Sequence, residues 1–107
     1  MINIKPITIA GRTCLATEID LPKTRLISIS TTNGYIMCGA LDVHLLNTKL
    51  KDRKIIAGRA VGVHNTEELL AAPLESITDT AAELGIHVGM KGEDALARML
   101  EHSKRPE

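Results

Sequence analysis

Three residues have types and spacing that could support chemistry: Cys38, Asp42 and Arg59. Cys38 stands in "NGYIMCGALDVHLL", residues 33–46, where an apolar run reaches a cysteine, a glycine and an acid and then takes on helical spacing. If a helix starts near Leu41 or Asp42, the thiol lies at a strand end close to free backbone N–H groups, which favour thiolate. Such a thiolate is a candidate nucleophile, and Gly39 would let a substrate approach the backbone. Against this, no histidine is placed beside it, and Met37 and Ala40 flank it with apolar surface. Free cysteine is commonly a buried core residue, and a structural Cys38 is the commoner outcome. Asp42 could orient a ligand hydroxyl or pair with Arg59, although an acid at a helix start more often caps it. Arg59 falls inside the apolar run "KIIAGRAVGV", where a guanidinium rarely goes without a partner. It could form a fork for a carboxylate or phosphate, join an internal or intersubunit ion pair, or sit on a strand face open to water.

Other chemistries find little support. His44, His64, His87 and His102 are scattered, without Cys-x-x-Cys or His-x-x-x-His spacing, so no metal site is expected. The glycines of "AGRAVG" match neither the dinucleotide fingerprint nor the phosphate loop, and no cofactor is expected. The chain has 107 residues, with 13 basic and 13 acidic side chains, and its single aromatic residue is Tyr35. Zero formal charge and the lack of stacking platforms argue against nucleic acid and anionic membrane as partners. Cys14 and Cys38 do not make a disulfide framework, which favours a reducing compartment. No apolar stretch approaches the roughly 18 residues of a membrane span, and "MINIKPITIAG" lacks the pattern of a secretory leader. A soluble cytoplasmic protein is expected.

The elements that must position these residues come in two grammars. Up to Cys38 the chain reads as a strand meander. In "TCLATEIDL" the residues Leu15, Ile19 and Leu21 share one parity and Glu18 and Asp20 the other, predicting a half-buried strand with the leucines inward. "INIKPITI" changes parity between Ile4 and Ile7, which predicts a bulge or kink at Pro6 on an edge strand. Turns are expected at 11–12 and 22–23, and Asn33-Gly34 signals a hairpin between "RLISISTT" and "YIMC". After Cys38, strand and helix alternate. Leu41, Leu45, Leu46 and Leu50 predict a helix ending in the solvated run "KLKDRK". "KIIAGRAVGV" reads as a strand, and Asn65 or Thr66 caps a helix over "EELLAA". Past Pro73, "LESITDTAAELG" predicts a helix with Leu74, Ile77, Ala81 and Leu84 inward and Gly85 at its C-terminal end. "IHVGM" reads as a short strand, and "EDALARMLEH" as a last helix facing the core with Leu96, Met99 and Leu100.

The segments "GYIMCGALDV", "IIAGRAVGV", "ELLAAPLESIT" and "LGIHVGM" resemble the YunC-like proteins, a bacterial and archaeal family of uncharacterised function, with likeness from "INIKPITIAG" to "ALARML". The resemblance implies a small α+β domain and a cytoplasmic location. It carries no accepted catalytic residues, so none can be transferred.

Strands first and strand-helix units later predict a two-layer α+β fold, a mainly antiparallel or mixed sheet covered by three or four helices. One domain over residues 1–102 is expected, with a loose tail at 103–107. The functional expectation is a small binding or assembly domain without its own catalysis. The alternative is a small enzyme with Cys38 as nucleophile and Asp42 and Arg59 positioning an anionic substrate. A core without aromatics, under a sheet with one uncovered face, further predicts a homo-oligomer, most simply a dimer.

Overall fold

A computed structural model describes residues 2–103. One six-stranded sheet runs in chain order through β1 (Ile2–Ile9), β2 (Arg12–Leu21), β3 (Thr24–Ser30), β4 (Gly34–Met37), β5 (Ile56–Arg59) and β6 (Ser76–Ile77). All neighbours are antiparallel except β4 and β5, which run parallel. Four α-helices lie among the described residues: α1 (Val43–Asn47), α2 (Thr66–Ala71), α3 (Asp79–Glu83) and α4 (Gly92–Ser103). This is the expected α+β class with a mixed sheet. Ser103 closes α4, and residues 104–107 of the expected tail lie outside the described residues.

The hairpins follow their turn residues. Ala10 and Gly11 both have positive φ, at 51° and 77°, and close the tight turn between β1 and β2. That places the turn one residue earlier than expected. Pro22 and Lys23 join Leu21 to its partner Thr24, with Lys23 at φ 64°. The hairpin signalled by Asn33-Gly34 forms, but its turn centres on Thr32 and Asn33, with Gly34 opening β4: the Thr31 hydroxyl oxygen accepts from the N–H of Gly34 at 3.0 Å, while Thr31 N–H donates to the Gly34 carbonyl at 2.7 Å.

The core lies between one sheet face and helices α2 and α4. Ile27, Ile29 and Ile36 from the sheet meet Leu69, Leu74, Leu96 and Met99, all buried. On β2 the expected alternation is present but the faces are reversed: Cys14 and Ala16 are buried, whereas Leu15 and Leu21 are 46% and 45% exposed. The small side chains leave room for the helices to approach. The expected bulge at Pro6 is absent, because β1 pairs without interruption from Ile2↔Ile19 to Ile9↔Arg12. The parity change instead gives β1 two apolar faces: Ile7 and Ile9 pack on the core, and Ile2 and Ile4 lie exposed on the other side.

Three later elements also depart from expectation. α1 is only five residues long and buries Val43 and, of the expected stripe, only Leu46, leaving Leu45 exposed. It ends where Thr48 turns its hydroxyl onto the His44 carbonyl at 2.7 Å, and a single 3-10 turn at Lys51–Arg53 follows. The stretch after Pro73 is not one helix. Ser76–Ile77 pairs with β5, and the helix starts only at Asp79, capped by the Thr78 hydroxyl, which accepts from Ala81 N–H at 3.3 Å. A buried Thr78 whose oxygen also accepts from Ala57 N–H at 3.1 Å holds that strand-to-helix break in place. "IHVGM" is irregular, with Ile86 buried and Lys91 bridging Pro73.

Gly92 opens α4 against Leu69 and Ile36. A Cβ there would collide with the Leu69 carbonyl oxygen and stand 2.9 Å from Ile36 Cδ1. Gly92→Ala is therefore expected to cost about 1–3 kcal/mol through overpacking. Chemical denaturation checks this, and an unchanged midpoint would mean that α4 does not dock as described.

Candidate functional site

The single parallel pair decides where the candidate residues go. β4 and β5 point the same way, so the segments that leave their carboxyl ends, from Cys38 and from Ala60, start side by side. The chain leaves β4 into α1, whose Val43 and Leu46 are buried apart from the main core, as is Ala57 of β5. Ala57 alternates with the core-facing Ile56 and Gly58, so α1 covers the opposite face of the sheet. The chain leaves β5 toward α2, on the core face. Connections that diverge to opposite faces leave a crevice between them.

In that region a cleft of about 620 Å³ is lined by Gly39, Asp42, His44, Arg59, Glu75 and Ser76, among others. Two of the three sequence candidates, Asp42 and Arg59, therefore share a cavity. Cys38 does not line it. It borders instead a separate recess of about 310 Å³, between Leu21, Arg25, Leu26 and Val63, with Gly39 and Ala40 lining both spaces. Cys38 is 6% exposed, and its sulfur accepts from Ile27 N–H at 3.4 Å while its own N–H donates to the Ile27 carbonyl at 3.0 Å. The thiol is thus folded back on β3 rather than set at the start of α1. Cys38 and Cys14 both belong to the buried core cluster, and burial pushes the Cys14 pKa up.

Asp42 caps α1: its Oδ1 accepts from Leu45 N–H at 3.0 Å. Arg59 finds its partner within the chain. Its Nη1 lies 3.2 Å from Glu75 Oε1, the same oxygen that accepts from the Ser76 hydroxyl at 2.8 Å. The Arg59 side chain is 32% exposed, yet its Nε is buried and has no acceptor among the described residues. Sequence reasoning missed Glu75 because its closeness to Arg59 depends on β6 pairing with β5, and a two-residue strand leaves no periodic signal.

A second charged cluster, also absent from the sequence reading, ties the sheet to α2. Glu18 lies on the helix-covered side of β2, and its Oε2 accepts from both Thr66 N–H and Thr66 hydroxyl at 2.8 Å. Those hydrogen bonds hold the Glu18 pKa below its ordinary value, with help from Arg25, whose Nη1 lies 3.6 Å from Glu18 Oε1. Arg25 also donates to Asp20 Oδ1 at 2.8 Å and to the His64 carbonyl at 3.2 Å. Asn65 caps α2 by accepting from Glu68 N–H at 2.8 Å, as its position predicted.

Thr66 is buried, so Glu18→Ala leaves its donors unanswered and is expected to cost about 1–3 kcal/mol at neutral pH. A carboxyl with a lowered folded pKa stabilises above its unfolded value and loses that contribution as pH falls through the folded one. The gap between wild type and Glu18→Ala should therefore narrow from pH 7 to pH 3 in denaturant titrations. A constant gap would exclude an ionic role for Glu18. At Cys38, iodoacetamide at neutral pH is expected to react in the native protein far more slowly than with a free thiol, and normally after unfolding. Rapid native labelling would contradict the burial of Cys38.

Comparison with known proteins places the chain. The family model described as a domain of unknown function, DUF1805, matches residues 37–99. The uncharacterized protein YunC of Bacillus subtilis (strain 168) is 54% identical over 101 residues, covering 94% of this chain and 100% of that protein. A crystal structure of TA1206, a protein of unknown function from Thermoplasma acidophilum, superposes with a TM-score of 0.83 at 28% identity, covering 92% of each chain. The matched region starts at the last residue of β4 and takes in β5, β6, the cleft beside α1 and the helices up to Met99, and with the YunC likeness over nearly the whole length the chain belongs to the DUF1805, YunC-like family.

Proposed function

We propose that this chain is a small cytoplasmic, non-catalytic assembly domain that pairs with a second copy of itself through the uncovered face of its sheet. The observation that supports this is the state of β1 and β2 on the side away from α2 and α4. Ile2 and Ile4 are 64% and 55% exposed, with Leu15 and Leu21 on the neighbouring strand nearly half exposed. Register puts Ile2, Ile4 and Leu15 in one patch: Ile2 is opposite Ile19, Ile4 opposite Thr17, and Leu15 opposite Pro6, while Leu21 lies past the stretch paired with β1. Single exposed leucines are ordinary, whereas a contiguous apolar patch on a strand pair calls for cover. A second copy supplies the same patch, and two-fold closure is the commonest way to bury it. Arg59 takes no part, since its acidic partner is Glu75 of the same chain. Two buried free thiols, Cys14 and Cys38, suit a reducing compartment such as the cytoplasm.

The catalytic alternative asks Cys38, Asp42 and Arg59 to serve one substrate. Cys38 borders one recess and the two charged residues line another, and Glu75 already occupies one end of the guanidinium. The geometry favours the assembly reading.

Light scattering coupled to size-exclusion chromatography tests it. At micromolar concentration a mass twice that of the 11.6 kDa chain is expected. Replacing Ile4 and Leu15 together by lysine is expected to give monomers with unchanged circular dichroism. A wild-type mass of one chain, or a double variant that remains dimeric, overturns the proposal.

A further inference from the structure

We infer that the cleft beside α1 is a binding site for a small zwitterionic aminocarboxylate, whose carboxylate docks on Arg59 and whose ammonium docks on Asp42. Arg59 uses Nη1 for Glu75. The opposite edge of the guanidinium, formed by Nε and Nη2, is the geometry that grips a carboxylate with two parallel hydrogen bonds. That edge has no acceptor among the described residues; Nε itself is buried, so a guest carboxylate meets Nη2 first and gains the second hydrogen bond, to Nε, only as the side chain turns toward the cleft. Nη2 faces Gly39, lying 3.7 Å from where a Cβ would stand on that residue. Gly39 lines the cleft beside that nitrogen, so a side chain larger than a methyl there would crowd the approach to the guanidinium.

Asp42 supplies the other half. One of its oxygens caps α1, and the carboxylate retains capacity for a further donor. Arg59 and Asp42 line the same cleft without forming an ion pair with each other, so each keeps charge available to a guest. The signs around the cleft select among guests. Two carboxylates, Asp42 and Glu75, disfavour a simple anion, and the guanidinium disfavours a simple cation. A molecule carrying both charges meets an opposite one at each end. Sugars are a poorer match, because the chain's single aromatic residue, Tyr35, does not line this cleft and offers no stacking surface there.

The test is a titration followed by amide correlation spectra, with glycine, β-alanine and 4-aminobutyrate as zwitterions of increasing length, and acetate and methylammonium as their separate halves. Saturable shifts are expected at Gly39, Asp42 and Ser76 for at least one zwitterion, with affinity about tenfold above either half. Asp42→Asn retains a capping side chain and so preserves α1, yet is expected to weaken binding by about tenfold. Gly39→Val should block it. Gly39→Ala serves as the folding control, since its Cβ would meet Val61 and Arg59 at ordinary distances of 3.6 and 3.7 Å. Absence of saturable shifts with all three zwitterions, acetate binding as tightly as they do, or undiminished binding by Asp42→Asn would each overturn the inference.

Discussion

β4 and β5 lie side by side in the same direction, and such a pair cannot be closed by a tight turn. The chain must leave the sheet after Met37, cross one face as α1 and the following 3-10 turn, and re-enter at Ile56. This requirement separates the hairpin half of the molecule from the helical half. It also gathers the exits of both strands at one end, so Gly39 and Asp42 come within reach of the space around Arg59. The tightness of the pair is visible in its glycines. A Cβ on Gly34 would lie 2.8 Å from the Ile56 carbonyl oxygen, and one on Gly58 would lie 2.7 Å from Leu74 Cδ1. Small residues at these points let the strands meet and Leu74 cover them.

The two faces of the sheet follow from that arrangement. α2 and α4 cover the face carrying Ile27, Ile29 and Ile36, and α1 covers only the far end of the other face, at β5. No helix covers the same side of β1 and β2, and Ile2, Ile4 and Leu15 there are exposed. On the covered side, packing alone does not hold α2 in place. Glu18 reaches across from β2 to satisfy the N–H and hydroxyl of Thr66 at the first turn of the helix, so a charged residue on a core-facing position is fully partnered. Thr78 performs a similar task at the other edge, ending β6 and starting α3 with one hydroxyl.

The amino-acid sequence by itself determined the local elements with strong signals: the Asn33-Gly34 hairpin, the meander of strands, the Asn65 cap, the final amphipathic helix with Leu96, Met99 and Leu100 inward, and hence the α+β class. Each depends on neighbours a few residues apart, whose chemistry can be read in order. Asp42 as a helix cap belongs to the same group. Tertiary structure alone decided which face of β2 is buried, because both parities of β1 and β2 carry apolar residues and only the docking of α2 and α4 distinguishes them. It also decided that Pro73–Gly85 breaks into a bridge, an edge strand and a short helix, since Ser76 and Ile77 become a strand only through hydrogen bonding to β5. The partners of Arg59 and Glu18 lie 16 and 48 residues along the chain, and a pair of charges so distant has no periodicity to announce it. For the same reason the sequence could nominate Cys38, Asp42 and Arg59 together, while only the fold could place Cys38 beside one recess and the two charged residues along another.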